Sequence, residues 1–476
     1  MMVDPLVFNP IRYHVNSFSF QQMPLSPELL QNLDSLGYAE MTPIQAQALP
    51  VVLAGKDLIA QAKTGSGKTA AFALGLLHKL ERDEFSPQAL VLAPTRELAE
   101  QIAVEVRRLA RTTANVKVLT LVGGTPLPPQ ANALAKGAQL IIGTPGRVED
   151  HIGKGTLKLE SVTTLVLDEA DRMLDMGFQE SIDNIIARTP QQRQTLLFSA
   201  TFPEKIQSIA RRVMRDPQMV KVESFDDGAQ IEQRFFQVDS DDDRLHALQL
   251  VLQQMRPESA LVFCATKIDV RTVAEQLGRH GHSVLALHGD LEQRDRDQVL
   301  VRFANKSVPV LIATDVAARG LDIDALDLVV NYQPARDPEV HTHRIGRTGR
   351  AGATGIACTF FNKREAYKLA ISEKSFNADT SPLPLPPREL LNQPPLRSAF
   401  ATVVIEGGRK NKLRPGDIVG AITAGGEYDA TQLGKITVQT MRSFVAVDRK
   451  IAKAVAVKLT NGKLKGRKYK SRLIAG

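Results

Sequence analysis

The chain has 476 residues, 43% of them hydrophobic and 24% charged, and a formal net charge of +8. That length suits about three domains of roughly 150 residues each, and no apolar run approaches the ~20 residues that span a bilayer. Only Cys264 and Cys358 occur, each inside an apolar run; without metal-ligand spacing they exclude a disulfide framework or zinc module and fit buried thiols in a reducing, cytoplasmic compartment.

In chain order, the opening MMVDPLVFNPIRYHVN lacks a charged region followed by an apolar stretch, so residues 1–17 read as an extension and not a secretory signal. From 18 to 223, DLIAQA, ALVLAP, VKVLTLV, QLIIGTP, TLVLDEA and QTLLFSA alternate with helical patterns. Continuous apolar strands of this kind belong to a parallel sheet covered on both faces. A second such series spans 229–376, with ALVFCAT, SVLALHG, PVLIATD, LDLVVNY and GIACTFF. Residues 377–397 follow as a semi-rigid extended linker, with six prolines between Pro382 and Pro395.

The last unit, 398–476, reads β-α-β-β-α-β. Ile451, Val455 and Leu459 form one apolar stripe on its second helix, which Asn461-Gly462 should stop. From Ala401 to Gly476 there are 16 Lys and Arg against 5 Asp and Glu, whereas the first 400 residues carry 44 against 47. This asymmetry points to a nucleic-acid or membrane contact made by the basic part. In the closing stretch NGKLKGRKYKSRLIAG, period-two alternation would put Lys468, Lys470 and Arg472 on one strand face and Tyr469, Ser471 and Leu473 on the other. A loose tail would not alternate, so a small folded domain is expected.

Two stretches carry chemistry. AKTGSGKT follows a strand and opens a helix near Lys68. Ala62, Lys63, Thr64, Gly65, Ser66 and Gly67 would turn backbone N–H groups around phosphate oxygens. Lys68 would reach the β and γ phosphates of a nucleotide, and the Thr69 hydroxyl Mg²⁺. LVLDEAD places Asp168 at the end of a buried strand, where it can hold Mg²⁺ partly through water, while Glu169 polarises the attacking water. One carboxylate for the metal and one for the nucleophile is what hydrolysis of a phosphoanhydride requires.

With these blocks in place, the chain resembles the DEAD-box RNA helicases over residues 20 to about 365. GYAEMTPIQ resembles the block that reads adenine, with Gln45 on the base edge and Phe20 as the upstream aromatic. PTREL (Pro94, Thr95, Arg96), Gly123-Gly124 and TPGR (Thr144 to Arg147) match the segments that hold the RNA backbone, and Ser199 and Thr201 of SAT the link between hydrolysis and strand separation. HGDLEQRDRD, ATDVAARGLD and HRIGRTGR continue the pattern. The resemblance implies an RNA phosphate contact at Thr314, nucleotide contacts at Gly320 and Asp322, coupling at His343, and arginine fingers at Arg347 and Arg350. It implies two tandem RecA-like α/β domains, ATP and Mg²⁺ as cofactors, RNA as partner, and a monomer.

The carboxyl-terminal unit, through RPGDIVGAIT and LGKITVQ, is similar to that of the DbpA group of these helicases. That likeness implies a small RRM-like, ferredoxin-like domain that binds a hairpin of 23S rRNA, with local unwinding during assembly of the large ribosomal subunit. An ordinary RNA-recognition motif carries an aromatic-rich central strand, whereas MRSFVAVD offers only Phe444. RNA contacts are therefore expected from Arg409, Lys410, Lys412 and Arg414 and from Lys463 to Arg472. Two other classes stay open: an RNA clamp whose ATPase only times release, which duplex-separation kinetics would reveal, and a DNA translocase, which Gln45 and the DEAD spelling disfavour.

Overall fold

The computed structural model describes residues 19–62, 65–222, 231–318, 326–349, 355–369 and 379–474. Its first compact unit holds seven parallel strands: β1 Leu58–Gln61, β2 Ala89–Leu92, β3 Val118–Leu121, β4 Leu140–Gly143, β5 Thr164–Leu167, β6 Gln194–Ser199 and β7 Gln218–Lys221. Their order is β3-β4-β2-β5-β6-β1-β7, with helices packed on both faces around two apolar layers. Chemistry gathers at the carboxyl ends of β1, β2, β4, β5 and β6, the ligand-binding edge of such a sheet.

The second unit begins with another parallel sheet: β8 Ile231–Gln237, β9 Ala260–Cys264, β10 Val284–Leu287, β11 Val310–Thr314, β12 Leu328–Asn331 and β13 Gly355–Phe361, ordered β10-β11-β9-β12-β13-β8. The strands expected from sequence all form. Those not anticipated, β7 and β8, lie at sheet edges, where partial cover lets polar residues into QMVK and IEQRFFQ and breaks the continuous apolar signal. Cys264 and Cys358 are buried and free in β9 and β13, and burial pushes both thiols up.

The proline-rich segment is extended on either side of a 3-10 turn at Arg388–Asn392, and it is also fastened to the second sheet domain. Leu383 N–H donates to the Phe235 carbonyl at 2.7 Å, and Gln253 Nε2 donates to the carbonyls of Gln393 and Pro394 at 3.3 Å. Leu396 is buried in that domain's core and its N–H donates to His282 Nδ1 at 3.0 Å.

The remainder forms the expected β-α-β-β-α-β unit: β14 Phe400–Ile405, helix Pro415–Thr423, β15 Leu433–Val438, β16 Ser443–Asp448, helix Ala452–Asn461 and β17 Ser471–Leu473. The antiparallel order β15-β16-β14-β17 is the ferredoxin-like arrangement. Val455 and Leu459 are buried, with Ile451 packed beside them, and the second helix stops at Asn461 with Gly462 as its cap. The closing strand is shorter than read. Only Ser471–Leu473 pair with β14, Leu473 is 38% exposed, and Ile474 is the residue that turns inward.

One face of this sheet packs on its own helices through Val403, Ile405, Val445 and Val447. Its other face meets the helix Gln293–Ala304 of the second sheet domain. Val404, Phe444 and Ile474 enclose Val301 in one apolar cluster. Beside it, Asn305 Nδ2 donates to Thr402 Oγ1 at 3.0 Å, and Ser307 Oγ lies 2.6 Å from the same hydroxyl. The face that commonly carries RNA in this fold is therefore interior here, and Phe444, 2% exposed, is a core residue.

Candidate active site and nucleic-acid interface

The phosphate loop takes its shape from glycine. Gly65 and Gly67 have φ of 83° and 92°, and a Cβ on Gly67 would sit 2.6 Å from Gln45 Nε2. This closeness lets the Thr42–Gln45 turn grip the loop: Gln45 Nε2 donates to the Gly67 carbonyl at 3.1 Å and Thr42 Oγ1 to the Ser66 carbonyl at 2.7 Å. Gln45 Oε1 accepts from the Thr42 N–H at 2.8 Å. One amide hydrogen and one lone pair are not used in these bonds, the kind of pair that a bidentate contact to an adenine edge uses, but Gln45 is itself 2% exposed. Phe20 is not displayed beside them. It is 2% exposed in the core, its ring centroid 6.0 Å from that of Tyr38, so the expected cover of a base by Phe20 has no free ring face here.

Lys68 opens its helix and is buried, with Nζ donating to the Ala62 carbonyl at 2.7 Å. Thr69 is half-buried in the same first turn. Asp168 is 3% exposed; one oxygen accepts the Glu169 N–H at 3.0 Å. Burial pushes its pKa up to about 7, with Lys68 pulling it down and Glu169 and Asp171 adding repulsion. A buried carboxylate held this high gains from a cation, so the site fits a divalent ion. Among the described residues no cluster of three His, Cys, Asp or Glu could hold a metal. Mg²⁺ would rest on Asp168, Thr69, phosphate oxygens and water, as this ion commonly does.

Glu169 sits at φ 50°, a left-handed backbone unusual for this residue. Its Oε2 accepts from Arg172 Nη1 at 2.9 Å, the two side chains 6% and 5% exposed. Sequence reasoning passed over Arg172, which holds the Glu169 carboxylate in place. Asp171 Oδ2 accepts both the N–H and the hydroxyl of Thr201 at 3.0 Å, and the Ser199 carbonyl accepts the Ala62 N–H at 3.1 Å. The two coupling candidates are thus bonded to the carboxylate box and to the phosphate loop.

The raised Asp168 makes a pH dependence. A carboxylate with a folded pKa above its unfolded value favours folding while protonated, and that contribution is lost as pH rises through about 7. The thermal midpoint of the ligand-free wild type, relative to Asp168→Asn, is expected to improve as the buffer falls from about pH 8 to about pH 6. Calorimetry across that range checks it; a difference that does not change with pH would remove the assignment.

The expected RNA-backbone segments meet along the same edge. Thr95 caps the helix Arg96–Leu109, its Oγ1 accepting from Leu98 N–H at 3.2 Å, with Pro94 buried before it. The Arg96 guanidinium lies against Gly124, whose φ is 67° and where a Cβ would come within 1.9 Å of Nη1. Thr144 precedes the helix Pro145–Gly153. Arg147 Nη1 donates to the Thr125 carbonyl at 2.9 Å and to Gln130 Oε1 at 3.2 Å.

Gln130, which no motif marks, joins these loops. Its Nε2 donates to the Val122 carbonyl at 3.0 Å and to Thr125 Oγ1 at 2.6 Å, while Oε1 also receives Nε2 of the buried His151 at 3.0 Å. All four hydrogen-bonding positions of the amide are used. Gln130→Leu would leave Arg147 and His151 without this acceptor, so we expect the RNA concentration for half-maximal ATPase stimulation to rise about ten-fold. The KM for ATP should not move; an equal shift in both constants would indicate general loosening.

In the second sheet domain, Thr314 ends β11, and His343 lies in the last turn of the helix Pro338–Ile345. Arg344, three residues before Arg347, is held by Asp315 at 2.7 and 2.8 Å, so it is structural. Arg347 is 6% exposed. Lys63, Thr64, Gly320, Asp322 and Arg350 lie outside the described residues.

On the small domain, the two basic segments are neighbours. Lys465 Nζ donates to the Lys412 carbonyl at 2.8 Å and pairs with Asp417 at 3.1 Å. Glu406 N–H donates to the Lys470 carbonyl at 2.9 Å. Arg409, Lys410, Lys412, Arg414, Lys468, Lys470 and Arg472 are all exposed, with Tyr469 buried beneath them.

Family models match this architecture piece by piece: DEAD/DEAH box helicase over residues 42–209, helicase conserved C-terminal domain over 243–352 and DbpA RNA binding domain over 402–473. The ATP-dependent RNA helicase DbpA of Escherichia coli is 50% identical over 450 residues, 94% of this chain and 98% of that protein. The chain belongs to the DEAD-box RNA helicases. Another such helicase, CshA of Listeria monocytogenes, is 43% identical over 77% of this chain and 70% of its own length. The solved structure of Saccharomyces cerevisiae Dbp5 bound to RNA and ADP BeF3 aligns with a TM-score of 0.70 and 32% identity, covering 77% of this chain and 96% of that one. This DEAD-box protein is thus an ATP-dependent RNA helicase that carries a DbpA-type RNA-binding domain. Among its described residues no helix is long and apolar enough to cross a membrane.

Proposed function

We propose that this helicase is directed by its carboxyl-terminal domain to a hairpin of 23S rRNA, and that it unwinds short neighbouring duplexes during assembly of the large ribosomal subunit. The observation that carries the reading is the joined basic edge at Arg409–Arg414 and Lys463–Arg472, on a domain whose sheet face is already occupied by the helix Gln293–Ala304. The likeness to Escherichia coli DbpA over nearly the whole chain supports it. In this reading Lys68 and Thr69 hold the phosphates and Mg²⁺ with Asp168, Glu169 orients water, and Arg347 and Arg350 stabilise transition-state charge. Arg96, Gly124, Thr144, Arg147 and Thr314 hold the RNA backbone without reading its sequence. The protein acts as a monomer in the cytoplasm.

The test is RNA-stimulated ATPase activity with a 23S rRNA fragment and with unrelated RNA, each at two salt concentrations. Phosphate-only binding weakens steeply with salt. The preference for the ribosomal fragment is expected to survive the higher salt; equal stimulation by both RNAs would overturn the proposal.

A further inference from the structure

At the amino-terminal ends of β1, β5 and β6, opposite the edge that holds the phosphate loop, lies a cavity of about 420 Å³. Lys79, Arg193 and Arg215 converge on it, with Gly55, Thr163, Thr164, Gln192 and Gln194 completing the wall. None of these cations has a carboxylate partner among the described residues. Lys79 Nζ donates to Gln194 Oε1 at 2.6 Å, Arg193 Nη1 to the Pro190 carbonyl at 2.7 Å and Arg215 Nη2 to the Arg193 carbonyl at 2.8 Å. The carboxylate that acts on Arg193, Asp57, spends both oxygens on the backbone N–H groups of Thr195 and Arg215, at 2.8 and 2.7 Å.

Arg193 is 9% exposed, and its Nε is buried without a hydrogen-bond partner. Burial lowers the pKa of Lys79 and of Arg193; at Arg193 the Asp57 charge works against this and Arg215 adds repulsion. Arg193 is the buried charge of the three, with Lys79 half-buried and Arg215 exposed at the rim, and an anion in the hollow would offset the positive charge they gather there. Lysine, two guanidinium groups, a threonine hydroxyl and an amide suit a group with several oxygens.

We propose that this hollow is a second anion site of the helicase, specific for a phosphoryl group and separate from the nucleotide-binding loop. The group can be free inorganic phosphate or the terminal phosphate of an RNA strand. The site lies entirely within the first sheet domain and does not depend on the choice of ribosomal RNA proposed above.

The full-length protein is titrated with inorganic phosphate at constant ionic strength, with binding read as ³¹P line broadening and as thermal shift. Wild type and Lys68→Ala should both respond, whereas the pair Lys79→Gln/Arg215→Gln should bind about ten-fold more weakly while keeping RNA-stimulated ATPase. Arg193→Gln is the second variant, expected to weaken phosphate binding in the same direction. A response lost in Lys68→Ala and kept in the pair would overturn the proposal, as would no response in wild type. RNA oligonucleotides bearing 5′-phosphate or 5′-hydroxyl distinguish the sources: a 5′-phosphate preference abolished by the pair assigns the RNA end, and no preference assigns the free ion.

Discussion

Lys68→Ala is expected to reduce RNA-stimulated ATP hydrolysis by at least about 10²–10³-fold, the scale of losing one preorganised charge at a phosphoryl-transfer centre. Two effects combine. The ammonium that would meet the β and γ phosphates is lost, and so is the positive charge that holds down the buried Asp168 carboxyl. With its pKa already about 7, Asp168 without Lys68 becomes a neutral acid near neutral pH and a poor partner for Mg²⁺. The two losses share one charge, so they are not additive with Asp168→Ala. Turnover with saturating RNA and ATP, beside a circular-dichroism melt, checks it. Wild-type turnover in a folded Lys68→Ala protein would remove the phosphate-loop assignment.

The motor's chemistry was legible because each motif is local: a loop, its flanking strand and its helix lie within a few residues. The long-range contacts were not. Thr402 pairs with Asn305 and Ser307 across nearly a hundred residues, and each of the three alone looks like an ordinary polar surface position. One signal was present and unused. Val403-Val404-Ile405 and Phe444-Val445-Ala446-Val447 are unbroken apolar runs, whereas a sheet with one open face alternates. Those runs report that both faces of β14 and β16 are covered, as they are in the structure. Gln130 and Arg172 left no mark, because a buried glutamine or arginine acts through its neighbours' positions. Phe20 shows the reverse: the motif fixed its place in the chain, while packing against Tyr38 decided where its ring lies.

The docked sheet changes how RNA targeting must be tested. Removing residues 398–476 would uncover Val301 and strip Asn305 and Ser307 of Thr402, so a lost preference could reflect damage to the second sheet domain. Substitution of exposed lysines avoids this. Lys410, Lys468 and Lys470 are exposed, and Lys410 and Lys470 hold the fold through backbone bonds that alanine retains. The triple change Lys410→Ala/Lys468→Ala/Lys470→Ala is expected to leave the melting temperature and the ATPase response to unrelated RNA unchanged. The apparent affinity for the 23S rRNA fragment should fall by about 10–100-fold, and the slope of its logarithm against log salt should shrink by about 2–3. Both follow if these side chains neutralise phosphates of a bound hairpin. Equal weakening toward both RNAs would mark the basic edge as a general polyanion surface, and unchanged affinity for the fragment would move the recognition site off this edge.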